Sequence, residues 1–530
     1  GIRATIPPMP DWSWRTFLRP LVFLRGDEAG RRGVVRALRF VSRVPGGGRF
    51  IDFLGHMRAA DASVALSATI DPHGDAIKAF ERFGFAMIEV GPVTRANVER
   101  VAKNIESANI DVCVRTSDDE VKARLRPQVK CFEDEVVWLR GATPDEVRRK
   151  REEQPQAFII AGDVREPADA RAFRDAGANL AAIDKGLLES GPGLAKRCNE
   201  ALSRTPERAP EPLTLDAARS AWFWGLMLGV AMFSGGLLAI LIASTRIVLP
   251  YDERMSGLTR AALEALNPRL LPFMAHDRVS LAGTMMSVGI FYMALAWNGI
   301  RRGAHWAHVT LIVSAMIGFF SFFFFLGFGY FDPFHAFVTA ILTQFTLLCM
   351  VLPLSPKQPG VAEWHESAAW RRGQWGQLLF IVIGVVITGA GMVISLIGCT
   401  SVFVKTDLEF MRTTASHLTH LTPLIAHDRA SLGGMLIANG VTIWLASQWG
   451  FRAGAGWLWR ALAWGGNIAF AAASIVHIVV GYGSMLHLTP AFLGWLAWNV
   501  ALALTHGWLC GTAEALNPRA YTSPSSAPQG

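Results

Sequence analysis

The chain has 530 residues, 51% of them hydrophobic and 18% charged, with a formal net charge of +8. The charge is unevenly spread: residues 1–220 hold 35 Lys+Arg and 32 Asp+Glu, and residues 221–530 hold the remaining 16 and 11. The first part can be solvated by water and the second has the composition of segments that live in lipid, so a wholly water-soluble protein and a diffusely basic nucleic-acid binder are both excluded.

In chain order, residues 1–45 form a basic preface with helical periodicity. Arg15, Arg19, Arg25, Arg31, Arg32, Arg36, Arg39 and Arg43 interleave with Trp14, Phe17, Leu21 and Phe40. That pattern suits an amphipathic helix on anionic lipid, and equally one packed on the protein. The early arginines interrupt any secretory h-region, so the expectation is that this part stays in the cytoplasm. Six scattered cysteines, without a CxxC pair, read as reduced thiols.

Residues 46–205 alternate short Val/Ile/Ala-rich runs with charged amphipathic stretches, a βα rhythm. Strands are predicted at 64–70, 86–90, 111–115, 136–139, 157–161 and 180–183. Helices are predicted at 75–83, 96–108, 144–154, 168–176 and 192–202. The fold expected is α/β, a parallel sheet with helices outside, two strands short of a closed eight-stranded barrel.

The wording of this region carries a resemblance. The runs Val64–Ile77, Phe83-Gly84-Phe85-Ala86-Met87-Ile88-Glu89-Val90-Gly91-Pro92-Val93-Thr94, Phe158–Val164 and Asp184–Leu194 resemble the membrane-associated, quinone-reducing class of dihydroorotate dehydrogenases. The resemblance covers about residues 12–100 and 156–205. It implies a truncated, TIM-barrel-like domain, FMN as cofactor, and a vestigial phosphate site at Gly162, Gly186 and Leu187.

The departures matter as much. Pro72 and Pro92 stand where the family contacts flavin, Asp163 puts a carboxylate where a phosphate would lie, and the middle of the barrel that carries the catalytic base is missing. The catalytic residues are therefore unknown, and the domain is expected to dock, sense or scaffold. The enzyme alternative is an FMN- and quinone-linked oxidoreductase.

A Pro-rich linker at 206–217 leads to the second part. Apolar stretches long enough to cross about 30 Å of hydrocarbon occur at 219–244, 279–300, 304–329, 334–354, 375–399, 430–449, 457–481 and 489–510. An all-α domain of eight spans is expected, with repeats at 218–356 and 375–512, a cytoplasmic connection at 357–374 and a disordered tail at 513–530. Arg301, Arg302, Lys357, Arg371, Arg372, Arg452 and Arg519 fall at alternate ends, so the positive-inside rule puts both termini in the cytoplasm, in the inner membrane of a cell.

The two repeats share sequence. Ala275-His276-Asp277-Arg278 returns as Ala426-His427-Asp428-Arg429, and Gly299–Trp306 returns as Gly450–Trp457, both at an offset of 151. Thr245 and Asp252 match Thr400 and Asp407. Four spans per copy give parallel repeats related by an axis along the membrane normal.

His276, Asp277 and Arg278, with His427, Asp428 and Arg429, are the candidate membrane polar site. At a span mouth each Asp could cap free amides, while ionisable groups repeated in identical order also suit a proton, quinone head group or lipid. Eleven of the thirteen histidines follow residue 270. Their spacing gives no metal set and no evident haem pair, and polar helix contacts account for them more simply. The partners expected are the bilayer, with a quinone or other membrane subunits as further candidates. A transporter built from the duplicated unit is the third functional class.

Overall fold

A computed structural model describes residues 12–48, 51, 63–106, 108–202, 215–327, 333–356, 365–483 and 485–511. The chain divides into two compact units: residues 1–206 with 359–374 and 512–530, and residues 207–358 with 375–511.

The first unit is a parallel α/β half-barrel. Its strands are β1 (Val64–Leu66), β2 (Met87–Val90), β3 (Asp111–Val114), β4 (Cys131–Phe132), β5 (Val137–Arg140), β6 (Ile159–Gly162) and β7 (Leu180–Ile183). They lie in the order β4-β3-β2-β1-β7-β6-β5, so the first and last strands pair and the sheet curls with β4 and β5 at its two edges. The helices are α1 (Asp27–Arg43), α2 (Ile77–Arg82), α3 (Val98–Ile105), α4 (Asp119–Leu125), α5 (Pro144–Glu153), α6 (Pro167–Asp175), α7 (Gly186–Ser190) and α8 (Gly193–Leu202).

Alternation along each strand sorts the two faces. Val64, Leu66, Ile88, Ile159 and Ile183 share the core that the helices cover, while Ala65, Met87, Cys113, Ile160 and Ala182 form a second, smaller cluster. The sequence predicts six strands and seven are found among the described residues. The extra one, β4, is only two residues long, too short to show a period. Helix α4 is also absent from the sequence reading, although Asp118 caps it by accepting from the amides of Glu120 (3.0 Å) and Val121 (3.4 Å). At α5 the signals are plain: Thr143 and Glu146 form a reciprocal capping box and Pro144 opens the helix.

The preface folds onto this unit. Trp14 Nε1 donates to the Leu188 carbonyl (3.0 Å) and Arg15 to Ser190 Oγ (2.8 Å). Residues 365–374 belong to the same unit. Glu366 accepts from Arg15 and from Arg197 (3.1 Å), and Trp370 stacks against both guanidiniums at 5.2 and 5.1 Å. Burial alone would raise the Glu366 carboxyl, but its hydrogen bond from Arg15 and the charge of Arg197 hold it below its ordinary value. The linker through residue 214, residues 357–364 and the tail from 512 lie outside the described residues.

The second unit is all α. Its helices are α9 (Ala221–Thr245), α10 (Pro250–Ser256), α11 (Arg260–Leu266), α12 (Leu270–Ala294), α13 (His305–Gly327), α14 (Pro333–Val351), α15 (Ala368–Cys399, whose first turns belong to the other unit), α16 (Lys405–Met411), α17 (Thr422–Gly450), α18 (Gly456–Val480) and α19 (Met485–Leu509). Among the described residues seven helices are long and apolar enough to cross a membrane, where the sequence predicts eight. The remaining stretch is α13, whose apolar part is described only over His305–Ser321 and is shorter than a span.

Large apolar side chains stand outward on these helices, among them Leu241, Val386, Leu396, Ile478 and Phe492. Water would not tolerate so much contiguous apolar surface, and hydrocarbon does. Small residues let the helices approach closely: a Cβ on Gly289 would meet the Phe233 nitrogen at 2.5 Å, and one on Gly440 would meet the Gly384 carbonyl at 2.6 Å.

The connections 245–270 and 400–422 pack on one another. Leu263, Leu270 and Phe273 share an apolar core with Phe403, Met411 and Leu421. Asn267 and Arg269 reach across to the carbonyls of Met411 (2.8 Å) and Phe410 (2.7 Å).

Candidate functional site

The site is built at the two places where a connection meets the helix that follows it. After α9 the chain turns at Ile247, and after α15 it turns at the equivalent Val402. Both take a left-handed conformation, each at φ 62°. That region is costly for any residue with a Cβ and more so for a β-branched one, so both turns must be held by their surroundings. In each copy an arginine holds it. Arg278 Nη1 donates to the Ile247 carbonyl (2.6 Å) and Arg429 Nη1 to the Val402 carbonyl (2.8 Å).

Two carboxylates complete each clamp. Asp252 and Asp407 are fully buried at the third position of α10 and α16, where each accepts its helix's N-cap amide, from Leu249 (2.9 Å) and Val404 (2.7 Å). Arg278 pairs bidentately with Asp252, at 2.7 and 3.1 Å, and its Nε donates to Asp428 of the other repeat at 2.9 Å. Arg429 pairs with Asp407 at 2.8 Å, and its Nε lies 3.5 Å from Asp277 of the other repeat. The repeats thus exchange arginines.

The structure corrects the capping expectation for the triplets. Helix α12 starts at Leu270 and α17 at Thr422, so Asp277 and Asp428 sit inside their helices, where the backbone amides are already bonded. Asp252 and Asp407 do the capping.

The histidines break the symmetry. His276 and His427 each hold Nδ1 beside the neighbouring aspartate, at 3.0 and 3.1 Å. His276 Nε2 then meets His477 Nε2 of α18 at 2.8 Å, whereas His427 faces His335 of α14 with ring centroids 6.1 Å apart. His477 Nδ1 lies 2.5 Å from the Ala473 carbonyl, and the Tyr482 ring is parallel to the His477 ring at 5.9 Å. Tyr482 Oη donates to Asp407 at 2.6 Å, which ties this histidine pair to the Arg429 clamp. A cavity of about 360 Å³ opens onto His477 and Tyr482, with Thr406, Glu409, Phe410, Ile478 and Leu488 around it. Sequence reading does not single out His477 as a site residue, because nothing in its neighbourhood announces a partner 201 residues away.

Four further histidines make other contacts or stand exposed. His305 and His308 meet the carbonyls of Ser355 (3.0 Å) and Cys349 (2.9 Å), and His417 and His420 are exposed. Among the described residues, no three His, Cys, Asp or Glu side chains converge as a metal-ligand set.

In the half-barrel, Gly162 and Gly186 are closely packed on the side where a Cβ would stand, and Leu187 is buried. A Cβ on Gly162 would strike the Phe173 ring at 2.6 Å, and one on Gly186 the Val164 carbonyl at 2.2 Å, so both glycines make room for the protein itself. Leu187 is buried, its amide bonded to the Asp184 carbonyl (3.1 Å). At the C-terminal ends of the strands, where a barrel holds its substrate, Glu89 is wholly buried between the Ala68 amide (2.9 Å) and Arg140, which also pairs with Glu133 (2.8 Å).

Neither a protein-family model nor a curated protein matches this chain.

Proposed function

We propose that this is a multi-pass inner-membrane protein, with both termini in the cytoplasm and eight spans, whose working part is the duplicated helical unit. In this reading the two repeats form a transporter-class core that binds a small molecule beside their shared charged centre. The α/β unit, similar in wording to a dihydroorotate dehydrogenase, serves as a docking or scaffold module.

The observation that carries the proposal is the exchange of Arg278 and Arg429 between repeats. Ionisable groups at membrane depth are expensive and are kept where they face a partner or a pathway. Here they join two homologous bundles that must separate or rock if the site between them is to change access. A quinone head group is the second reading of the cavity, favoured by the Phe410–Tyr482 aromatic wall, with ring centroids 4.7 Å apart, beside His477.

The test is a ligand screen by thermal shift on the detergent-solubilised full chain, followed by counterflow in proteoliposomes for any hit. A hit lost in both Thr406→Val and Phe410→Ala supports the cavity as the binding site. Stoichiometric flavin absorbance near 450 nm with quinone reduction would overturn the reading in favour of the oxidoreductase.

A further inference from the structure

We infer that Cys113 and Cys131 close a reversible disulfide when the α/β unit meets hydrogen peroxide, so that the half-barrel carries a dithiol redox site at its edge. The inference stands on the half-barrel alone and goes beyond the reading of the helical unit.

The cysteines are scattered in the sequence without a CxxC pair, and the fold brings two of them together. Cys113 on β3 and Cys131 on β4 are direct partners in the parallel ladder, with α4 between them in the chain. Neighbouring strands lie about 4.8 Å apart. That spacing falls inside the Cα separation of about 4.4–6.8 Å at which disulfides form. Residues in register stand on the same face of a sheet, and both side chains share the smaller apolar cluster with Ala65, Met87 and Ala182. Both are free, buried thiols. Strand β4 is two residues long and has a neighbour on one side only, so it can shift the little that sulfur–sulfur bonding requires.

The two sulfurs are not equivalent. Cys113 is wholly buried between strands, paired with Glu89 of β2 on its other side, whereas Cys131 is 7% exposed on the edge strand. Each thiol is the largest influence on the other's proton. Cys131 pushes the Cys113 thiol up, helped by burial and by the Glu89 and Glu133 carboxylates. Cys113 in turn draws the Cys131 thiol down, with Lys130 assisting against burial, Glu135 and Asp111. The thiolate is the nucleophile, so Cys131 attacks and Cys113 resolves.

The Cys131 thiolate sulfur bonds one peroxide oxygen as the O–O bond breaks, and the departing hydroxide takes up the proton that Cys131 gave off, leaving as water. The Cys113 sulfur then attacks the Cys131 sulfenic acid. An S–S bond forms, the S–O bond breaks, and the sulfenic oxygen leaves with the Cys113 proton as a second water. The thiols lose two electrons and two protons, and peroxide gains them. The closed bridge ties β4 to β3 beside Glu133, whose carboxylate pairs with Arg140 at 2.8 Å.

The experiment treats the reduced full chain, in lipid nanodiscs at neutral pH, with hydrogen peroxide. The chain is then denatured, alkylated with N-ethylmaleimide, cut by trypsin at sites that include Lys122 and Arg124 between the two cysteines, and mapped without reduction by mass spectrometry. The expected product is a peptide pair joining Cys113 to Cys131, two hydrogens lighter than the separate peptides. It should vanish with dithiothreitol and persist in Cys399→Ser, which removes an exposed thiol. In Cys113→Ser, dimedone should trap Cys131 as its sulfenic acid, and in Cys131→Ser the Cys113 thiol should stay unoxidised. The wild-type map alone decides the case if either variant fails to fold. Maleimide on both cysteines while Cys399 is oxidised, or Cys131 joined to any other cysteine, would overturn the inference.

Discussion

If the arginines are exchanged between repeats, Arg278 should be energetically coupled to Asp428, 150 residues away, and hardly at all to Asp277 beside it. The geometry sets the magnitudes. Asp428 is 4% exposed and receives a 2.9 Å bond from Arg278 Nε. Removing one partner of a buried pair costs about 3–5 kcal/mol, and because Arg278 keeps Asp252, Asp428→Asn should fall near the lower end, about 3 kcal/mol. A double-mutant cycle of Arg278→Gln with Asp428→Asn should return a coupling of about 2 kcal/mol. The cycle of Arg278→Gln with Asp277→Asn should return less than about 0.5 kcal/mol, since no direct bond joins that pair. The assay is reversible unfolding of the detergent-solubilised chain in mixed micelles of rising SDS content. Equal coupling in the two cycles, or a larger one to Asp277, would refute the exchange.

Three further outcomes follow from the same structure. In thermal unfolding, Ile247→Asn should leave stability unchanged or raise it by up to about 1 kcal/mol, because asparagine tolerates the left-handed turn at φ 62°. The same replacement at Leu263, fully buried in the core that the connections share, should instead unfold the connection. Burial pushes the Asp71 carboxyl up to about 6 from 3.8, against the amides of Ala76 and Asp75 that bond it. A raised carboxyl stabilises the folded state only while protonated, so that contribution is whole below pH 3.8 and lost as pH rises through about 6. Asp71→Asn should flatten the melting profile across this window by up to about 3 kcal/mol. Glu366→Gln should cost about 3 kcal/mol by leaving the buried Arg197 without its carboxylate, read as faster hydrogen exchange in a peptide spanning 365–374.

Much of this arrangement is legible in the sequence, and what is not has physical reasons. The division of charge, the βα rhythm and the repeat offset of 151 are local or periodic properties, and they locate both units, most strands and both triplets. The partners of the triplets are not legible. Arg278 could have bonded Asp277, Asp428 or lipid, and only the packing of α12 against α17 decides. The left-handed turns are hidden because their residues argue against them: isoleucine and valine are the last choices for φ 62°. Only the matching of Thr245 with Thr400, whose hydroxyls both bond back to the carbonyl four residues earlier at 2.7 Å, marks the two turns as equivalent. The barrel resemblance is legible as wording, but the filling of its mouth by Glu89 and Arg140 depends on two strands 51 residues apart.

Where the two repeats agree and where they differ separates framework from site. The agreeing parts are the left-handed turn, the buried aspartate at the start of a short helix, and the arginine that binds both and crosses to the other repeat. Each of these repairs a cost created by another: the strained turn needs the arginine, the arginine needs two carboxylates, and one carboxylate also caps the helix that follows the turn. Such a closed set is retained in both copies because losing any member leaves a buried charge unbalanced. The differing parts are the partners of the triplet histidines, one from α18 and one from α14, only the first within hydrogen-bond distance and open to the cavity. Duplication therefore supplied a symmetric ionic frame, and the departure from symmetry at His477 leaves one side of that frame open to a cavity.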